Sequence, residues 1–309
     1  MLRSLLLSAS RNDKLQQLAS EAAPARALVD RFVAGERTED AVRATSDLVG
    51  SGRLVTIDRL GEDTTDRAQA EATRDAYLVL LDALAAAGLT ASAEVSVKLS
   101  AVGQALPGDG EKIALEFARD ICAKAAEVGT TVTLDMEDHT TTDLTLGALR
   151  ELRADFPWVG GVLQAYLRRT EADCRDLAGA GSRIRLCKGA YREPETVAYQ
   201  DRAEVDKAYV RCAKILIQGD GYPMFATHDP RLVDIVEALA IRNDRAPSTF
   251  EYQMLYGVRS DEQLRLAAEG NRMRVYVPYG DEWYGYLVRR LAERPANLTL
   301  LARALTSKG

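Results

Sequence analysis

Met224-Phe225-Ala226-Thr227, then His228-Asp229-Pro230, then apolar residues at Leu232, Ile235, Val236 and Leu239: this stretch changes period within a dozen residues. The first part is a short apolar run of strand length, and the last recurs with the spacing of one helix face. Asp229-Pro230 between them supplies a helix N-cap and a proline at the first helical position. The stretch therefore reads as strand, loop and helix. Moving outward, the same unit recurs from residue 54 onward. Its other apolar runs are Leu54–Ile57, Val95–Leu99, Thr131–Leu134, Gly161–Gln164, Ile184–Cys187, Phe250–Gln253 and Val275–Val277. Ile113, Phe117 and Ile121 mark the buried face of one intervening helix. Gly88, Gly129 and Gly219 stand where helices should stop, and Ser260-Asp261-Glu262-Gln263 has the spacing of a capping box.

Eight strand–helix units without a composition break predict an α/β fold, a (β/α)8 TIM barrel, in preference to a flavodoxin-like open sheet. Residues 1–50, rich in Ala, Leu, Arg and Glu, read as an N-terminal helical segment. Residues 51–309 read as the barrel domain, including the helix after strand 8 and a C-terminal helix.

Composition narrows the class of function. The chain has 309 residues, 28% charged and 47% hydrophobic, with a net charge of -6. That balance suits a soluble globular protein and supplies no positive field to draw in nucleic acid. No apolar run approaches the roughly 18 residues of a membrane span. Met1–Leu7 is too brief for a secretory signal, which predicts a cytoplasmic protein. Four cysteines without a C-x-x-C, and two histidines, give no metal-site spacing and read as reduced thiols.

In such barrels the chemistry lies at the carboxyl ends of the strands. Those ends carry Lys98, Asp135-Met136-Glu137-Asp138-His139, Gln164, Arg185, Lys188-Gly189-Ala190, Thr227-His228 and Tyr276. Charge within apolar strands is costly unless it is paired or faces a ligand. Lys98 and Asp135 could be a buried ion pair or ligand groups. Arg185 alternates with Ile184 and Leu186 and so points into the barrel. His228 could simply serve the start of the next helix, and His139 lies in an outer loop. Neither dinucleotide nor nucleotide glycine-loop fingerprints occur, so a dinucleotide would have to be held by Arg185, Lys188, His228 and loop N–H groups. After strand 8, Tyr286, Arg289, Arg290 and Glu293 share one helix face. Two adjacent guanidinium groups there can clamp a carboxylate, or form an exposed pair with Glu293. Lysines at strand ends also leave open a Schiff-base aldolase, and the arginine pair a carboxylate-binding module without redox chemistry.

The pieces Val97-Lys98-Leu99-Ser100, Leu134–Asp138, Arg185-Leu186-Cys187-Lys188-Gly189-Ala190-Tyr191, Phe225–His228, Glu251–Gly257 and Tyr286–Leu291 run in order over roughly residues 53 to 297. Together they resemble the proline dehydrogenase family, in its monofunctional form. The resemblance implies a distorted barrel with non-covalent FAD, oxidising L-proline to 1-pyrroline-5-carboxylate by hydride transfer, the first step of proline degradation to glutamate. It implies Lys98, Arg289 and Arg290 on the substrate carboxylate, and Tyr276, Tyr286 and Leu255 as walls of the proline pocket, with Tyr276 favouring proline over hydroxyproline. Asp135 and Arg185 match the family's catalytic positions, Arg185 beside the flavin N5. Met136, Gln164, Arg185, Lys188, Gly189, Ala190, Thr227, His228 and Glu293 match cofactor contacts. Arg192 and Val205 depart from residues some members carry next to the cofactor. The same resemblance implies a quinone as electron acceptor, peripheral contact with the inner face of the cell membrane, and a 1-pyrroline-5-carboxylate (glutamate semialdehyde) dehydrogenase as partner.

Overall fold

A computed structural model describes residues 29–293, with side chains described as far as Val288. The part of the predicted N-terminal segment before residue 29, and the predicted C-terminal helix, lie outside the described residues. Eight strands occur in chain order: β1 Leu54–Arg59, β2 Ala93–Val97, β3 Val132–Leu134, β4 Gly160–Gln164, β5 Arg183–Cys187, β6 Tyr222–Ala226, β7 Glu251–Leu255 and β8 Met273–Tyr279. Each pairs in parallel with the next, and β8 returns to β1, so the sheet closes into a barrel. An open flavodoxin-like sheet is thereby excluded.

Helices precede and alternate with the strands: α1 Thr38–Gly50, α2 Arg67–Ala86, α3 Gly110–Val128, α4 Thr142–Asp155, α5 Thr170–Leu177, α6 Arg202–Gln218, α7 Pro230–Arg242, α8 Ser260–Ala268 and α9 Trp283–Glu293. The core lies between sheet and helices. Outward-facing Val55, Ile57, Val95, Val97, Val132, Leu134, Ile184 and Leu186 pack on Leu80, Leu84, Ile121, Leu149 and Leu216 in one continuous cluster. Each such side chain contributes about 1.5–3 kcal/mol by leaving water. Ala41, Ala44 and Leu48 of α1 belong to the same cluster.

Local punctuation follows the sequence at most junctions. Asp229 caps α7, its side chain accepting the Arg231 N–H at 3.1 Å, with Pro230 at the first helical position. α2, α3 and α6 end just before Gly88, Gly129 and Gly219. Gly219 serves there by contact, since a Cβ on it would meet the Ala178 carbonyl oxygen at 2.3 Å. The capping box expected at Ser260 does not form. The N-cap of α8 is Arg259, with φ of 53°. Gln263 turns inward, donating to the carbonyls of Leu255 and Val258 and accepting from Arg53 Nη1 at 2.8 Å. The bonds to those two carbonyls and to Arg53 outweigh a reciprocal cap.

The interior of the barrel departs from the usual filling of branched apolar side chains. Inside stand Thr56, Glu94, Ser96, Thr133, Arg185, Glu251, Gln253 and Arg274, all buried. Arg183 Nη2 donates to Glu94 Oε2 at 2.6 Å, and Arg274 Nε to Glu251 Oε1 at 2.7 Å. The cylinder is thus packed with an ionic lattice, and its upper layer is the floor of the strand-end site.

Candidate active site

The strands present their charges in register. Asp58, the inward residue after Thr56 on β1, pairs with Ser96 of β2, which places it next to Lys98 at the end of that strand. Lys98 Nζ donates to Asp58 Oδ2 at 2.6 Å. Asp135 stands immediately after β3, its N–H bonded to the Val97 carbonyl. Arg185 Nη1 donates to Asp135 Oδ1 at 2.6 Å, and the Tyr276 hydroxyl donates to Asp135 Oδ2 at 2.6 Å. Arg185 is held by Ser96 Oγ and by Gln253 Oε1 as well, and its guanidinium lies 5.2 Å from the centre of the Tyr276 ring. Five side chains from five strands therefore meet at the carboxyl ends: Asp58, Lys98, Asp135, Arg185 and Tyr276.

This corrects one pairing expected from the sequence. Lys98 is bonded to Asp58, and Asp135 to Arg185 and Tyr276, because the register sets Asp58 rather than Asp135 beside the lysine. Lys98 and Arg185 are each paired with one carboxylate, and the charges of Glu62, Glu137 and Glu94 act on them as well.

Burial by itself would strip the charge from these groups, and their neighbours decide the outcome. For Lys98, burial pulls the ammonium down, but Asp58, Asp135 and Glu62 overcome it and hold the group well above its ordinary value. Burial and the Asp135 charge push the Asp58 carboxyl up, against the pull of Lys98. For Arg185, Asp135 and Glu94 overcome burial and keep the guanidinium charged. A Schiff-base lysine needs a depressed pKa. Lys98 is shifted the other way, and Lys188 Nζ is bound to Asp206 at 2.5 Å and Asp229 at 3.2 Å, so the aldolase alternative falls.

Of the remaining expected residues, Met136, Gln164, Lys188, Gly189, Ala190, Thr227, His228 and Leu255 stand at or just past the carboxyl ends of their strands. Gln164 Nε2 donates to the Glu137 carbonyl at 2.7 Å, and Met136 is buried beside Asp135. Thr227 is buried, its hydroxyl accepting the Asp229 N–H. His228 Nε2 accepts the Leu255 N–H at 2.9 Å, which puts the ring proton of the neutral tautomer on Nδ1. Leu255 ends β7 and is half-buried, while Ala190 is exposed. Tyr286 is buried in α9 among Phe32, Val33, Leu60, Trp283 and Leu287. The side chains of Arg289, Arg290 and Glu293 lie outside the described residues. His139 is in the outer loop, bonded through Nδ1 to Glu193, which also accepts from the Tyr166 hydroxyl at 3.2 Å.

Gly189 has φ of 108°, and a Cβ on it would come within 2.2 Å of the Tyr166 ring. The backbone is thus pressed onto an aromatic side chain at the rim. Gly189→Ala is expected to lower unfolding free energy by about 1–3 kcal/mol through backbone strain and overpacking. Urea titration checks this; an unchanged midpoint would refute it.

Sequence reasoning missed Asp58, Glu94, Glu251 and Arg274. Asp58 continues the Thr56 alternation and Glu94 precedes the alternation of β2, so the period-two pattern carried a signal for both.

A closed parallel barrel with this compensated cluster at its strand ends defines an α/β-barrel enzyme acting on a small charged substrate. Comparison with known proteins gives the family. Residues 41–303 match the family described as proline dehydrogenase. The chain is 42% identical over 305 residues to the proline dehydrogenase of Deinococcus radiodurans, covering 98% of this chain and 97% of that one. It is 37% identical to proline dehydrogenase 1 of Bacillus subtilis strain 168 over the whole of both. Among solved structures, proline utilization A from Bdellovibrio bacteriovorus, inactivated by N-propargylglycine, matches with a TM-score of 0.82 and 28% identity. That match covers 92% of this chain and 34% of the larger one, so the chain spans about a third of that protein. This chain belongs to the proline dehydrogenase family, and is an oxidoreductase acting on proline.

Proposed function

We propose that the chain oxidises L-proline to 1-pyrroline-5-carboxylate with non-covalently held FAD, and that a quinone takes up the electrons. The observation that carries this reading is the strand-end cluster in which Asp58 holds Lys98 and Asp135 holds Arg185, so that two oriented cations stand ready for a substrate carboxylate and an electron-rich cofactor. The residues present fit a flavin. Gly189 brings bare main chain to the rim, and Gln164, Thr227 and His228 add buried or half-buried polar groups there. Among the described residues Arg185 Nη2 makes no hydrogen bond, its nearest anion being Glu94 Oε1 at 3.8 Å. Arg185, Lys188, Gly189, Ala190, Gln164, Met136, Thr227, His228 and Glu293 would hold it. When bound it supplies the acceptor for the hydride of the ring carbon next to nitrogen.

The chain's own residues do the rest. One N–H of Lys98 is committed to Asp58, which leaves two for the substrate carboxylate. Arg289 and Arg290 complete that grip. Tyr276, Tyr286 and Leu255 enclose the ring and exclude water. Asp135 sets the orientation of Arg185 and Tyr276 through its two carboxylate oxygens. The substrate nitrogen must be neutral before the adjacent C–H bond breaks, since only its lone pair can form the C=N bond. The Arg289–Arg290 pair would provide the positive field that favours this loss of a proton.

Among the described residues no helix is long and apolar enough to cross a membrane. Delivery of electrons to a membrane quinone would then proceed through peripheral contact from the cytoplasmic side, with the product passing to 1-pyrroline-5-carboxylate (glutamate semialdehyde) dehydrogenase. Purified protein supplied with FAD, L-proline and a soluble quinone analogue should yield 1-pyrroline-5-carboxylate, identified by mass. Protein that binds FAD yet gives no product from proline would refute the proposal.

A further inference from the structure

Lys98 could in principle hold a carboxylate unaided, but its surroundings show that it does not stand alone. Lys98 stands at the end of β2 and is 8% exposed as a residue, so its charge is expensive to keep without an anion. The groups around it are Asp58 of β1, Glu62 in the following loop, Asp135 and Glu137 after β3, Arg185 of β5 and Tyr276 of β8. Of these only Asp58 bonds it directly, at 2.6 Å. Asp135 is committed to Arg185 and Tyr276. Asp58 is itself 1% exposed, with Oδ1 sealed from solvent. It lies beneath the lysine, out of reach of a ligand entering from the strand ends.

We infer that Asp58 is a positioning residue, whose buried carboxylate fixes the Lys98 ammonium in place and keeps it protonated to receive the carboxylate of the substrate. The inference rests on the reading that Lys98 contacts the substrate carboxylate. Asp58 does not act as a base towards the substrate amine, because its carboxylate is sealed below the lysine. Its influence is exerted entirely through the ammonium above it. Without it, burial weighs more heavily on Lys98, opposed by Asp135, Glu62 and Glu137, and the ammonium loses its proton at lower pH.

The test is the pH dependence of steady-state kinetics in flavin-loaded Asp58→Asn, Asp58→Glu, Lys98→Met and the double variant Asp58→Asn with Lys98→Arg. Asp58→Asn should leave kcat near the native value and raise KM for proline. Its KM relative to native should climb by roughly tenfold per pH unit above the lowered lysine pKa. The double variant, whose guanidinium stays charged throughout, should lose that climb. Asp58→Glu, which keeps the charge but displaces it by one methylene, should raise KM at all pH values alike. If Lys98→Met raises KM while Asp58→Asn gives a pH-independent change, the positioning role is overturned and the carboxylate reading survives. If Lys98→Met leaves KM unchanged, the reading beneath it fails instead. Should Asp58→Asn not fold, Asp58→Glu decides: proline affinity equal to native would overturn the inference.

Discussion

Arg185→Met is expected to reduce kcat for proline by about 100- to 1000-fold, the usual consequence of removing one preorganised cation or donor from a transition state. The expectation follows from how Arg185 is held. Gln253 takes its Nε, Ser96 and Asp135 take Nη1, and Tyr276 covers it at 5.2 Å, so the charge has one orientation. Methionine removes that charge and leaves the Asp135 carboxylate with Tyr276 as its remaining bonded neighbour. Breaking such a buried pair by deleting one partner typically destabilises by about 3–5 kcal/mol. The variant should therefore be slower and less stable together. Arg185→Lys should regain part of the stability, since the charge returns, and little of the rate, since the planar fork that meets three partners does not. Turnover measured per bound flavin, beside urea unfolding, separates the two effects. A kcat within about twofold of native in Arg185→Met would show that Arg185 only supports the barrel.

Glu94→Gln should produce a comparable loss of stability, about 3–5 kcal/mol. Glu94 accepts from Thr56 at 2.8 Å, Thr131 at 2.7 Å and Arg183 at 2.6 Å, and stands 3.8 Å from both Arg185 and Arg274. Glutamine keeps the volume but leaves Arg183, Arg185 and Arg274 with less negative charge than they need. The same carboxylate governs acid sensitivity. Burial pushes the Glu94 carboxyl up, but Arg183, Arg274 and Arg185 overcome it and hold it well below the usual range. Arg274 does the same for Glu251. A folded value below the unfolded one means the stabilisation is complete above the unfolded carboxylate pKa. It is lost as pH falls from there toward the folded value. Native protein should accordingly lose stability steeply below about pH 4.3, the ordinary glutamate value. In Glu94→Gln the slope of unfolding free energy against pH should be shallower across that window. Equal slopes in the two proteins would contradict the ionic lattice.

The sequence disclosed the architecture because the outward face of every strand is apolar. Val55 and Ile57, or Val95 and Val97, announce a strand whatever fills the barrel. The interior was less legible. Asp58 lies one residue beyond the run Leu54–Ile57 and Glu94 one before Val95–Leu99, at the margins where an apolar run is trimmed. Which cation meets which anion depends on strand register around the cylinder, and no linear spacing encodes it; Lys98 is 40 residues from its partner. The capping box failed for a related reason. Gln263 has the right spacing from Ser260, but carbonyls brought near by β7 compete for its side chain. Arg185, Lys98 and Asp135 were legible because charge within or just beyond an apolar strand requires a partner or a ligand, and here it has the first and is arranged for the second.

The central claim is that these strand-end charges present proline to a flavin. Its most direct test is the visible spectrum of the FAD-loaded protein under anaerobic titration with L-proline. Stoichiometric bleaching of the flavin band, abolished or shifted to far higher proline concentration in Lys98→Met, is the predicted result. A flavin band that proline leaves unbleached, or that bleaches at the same concentration in Lys98→Met, would contradict it.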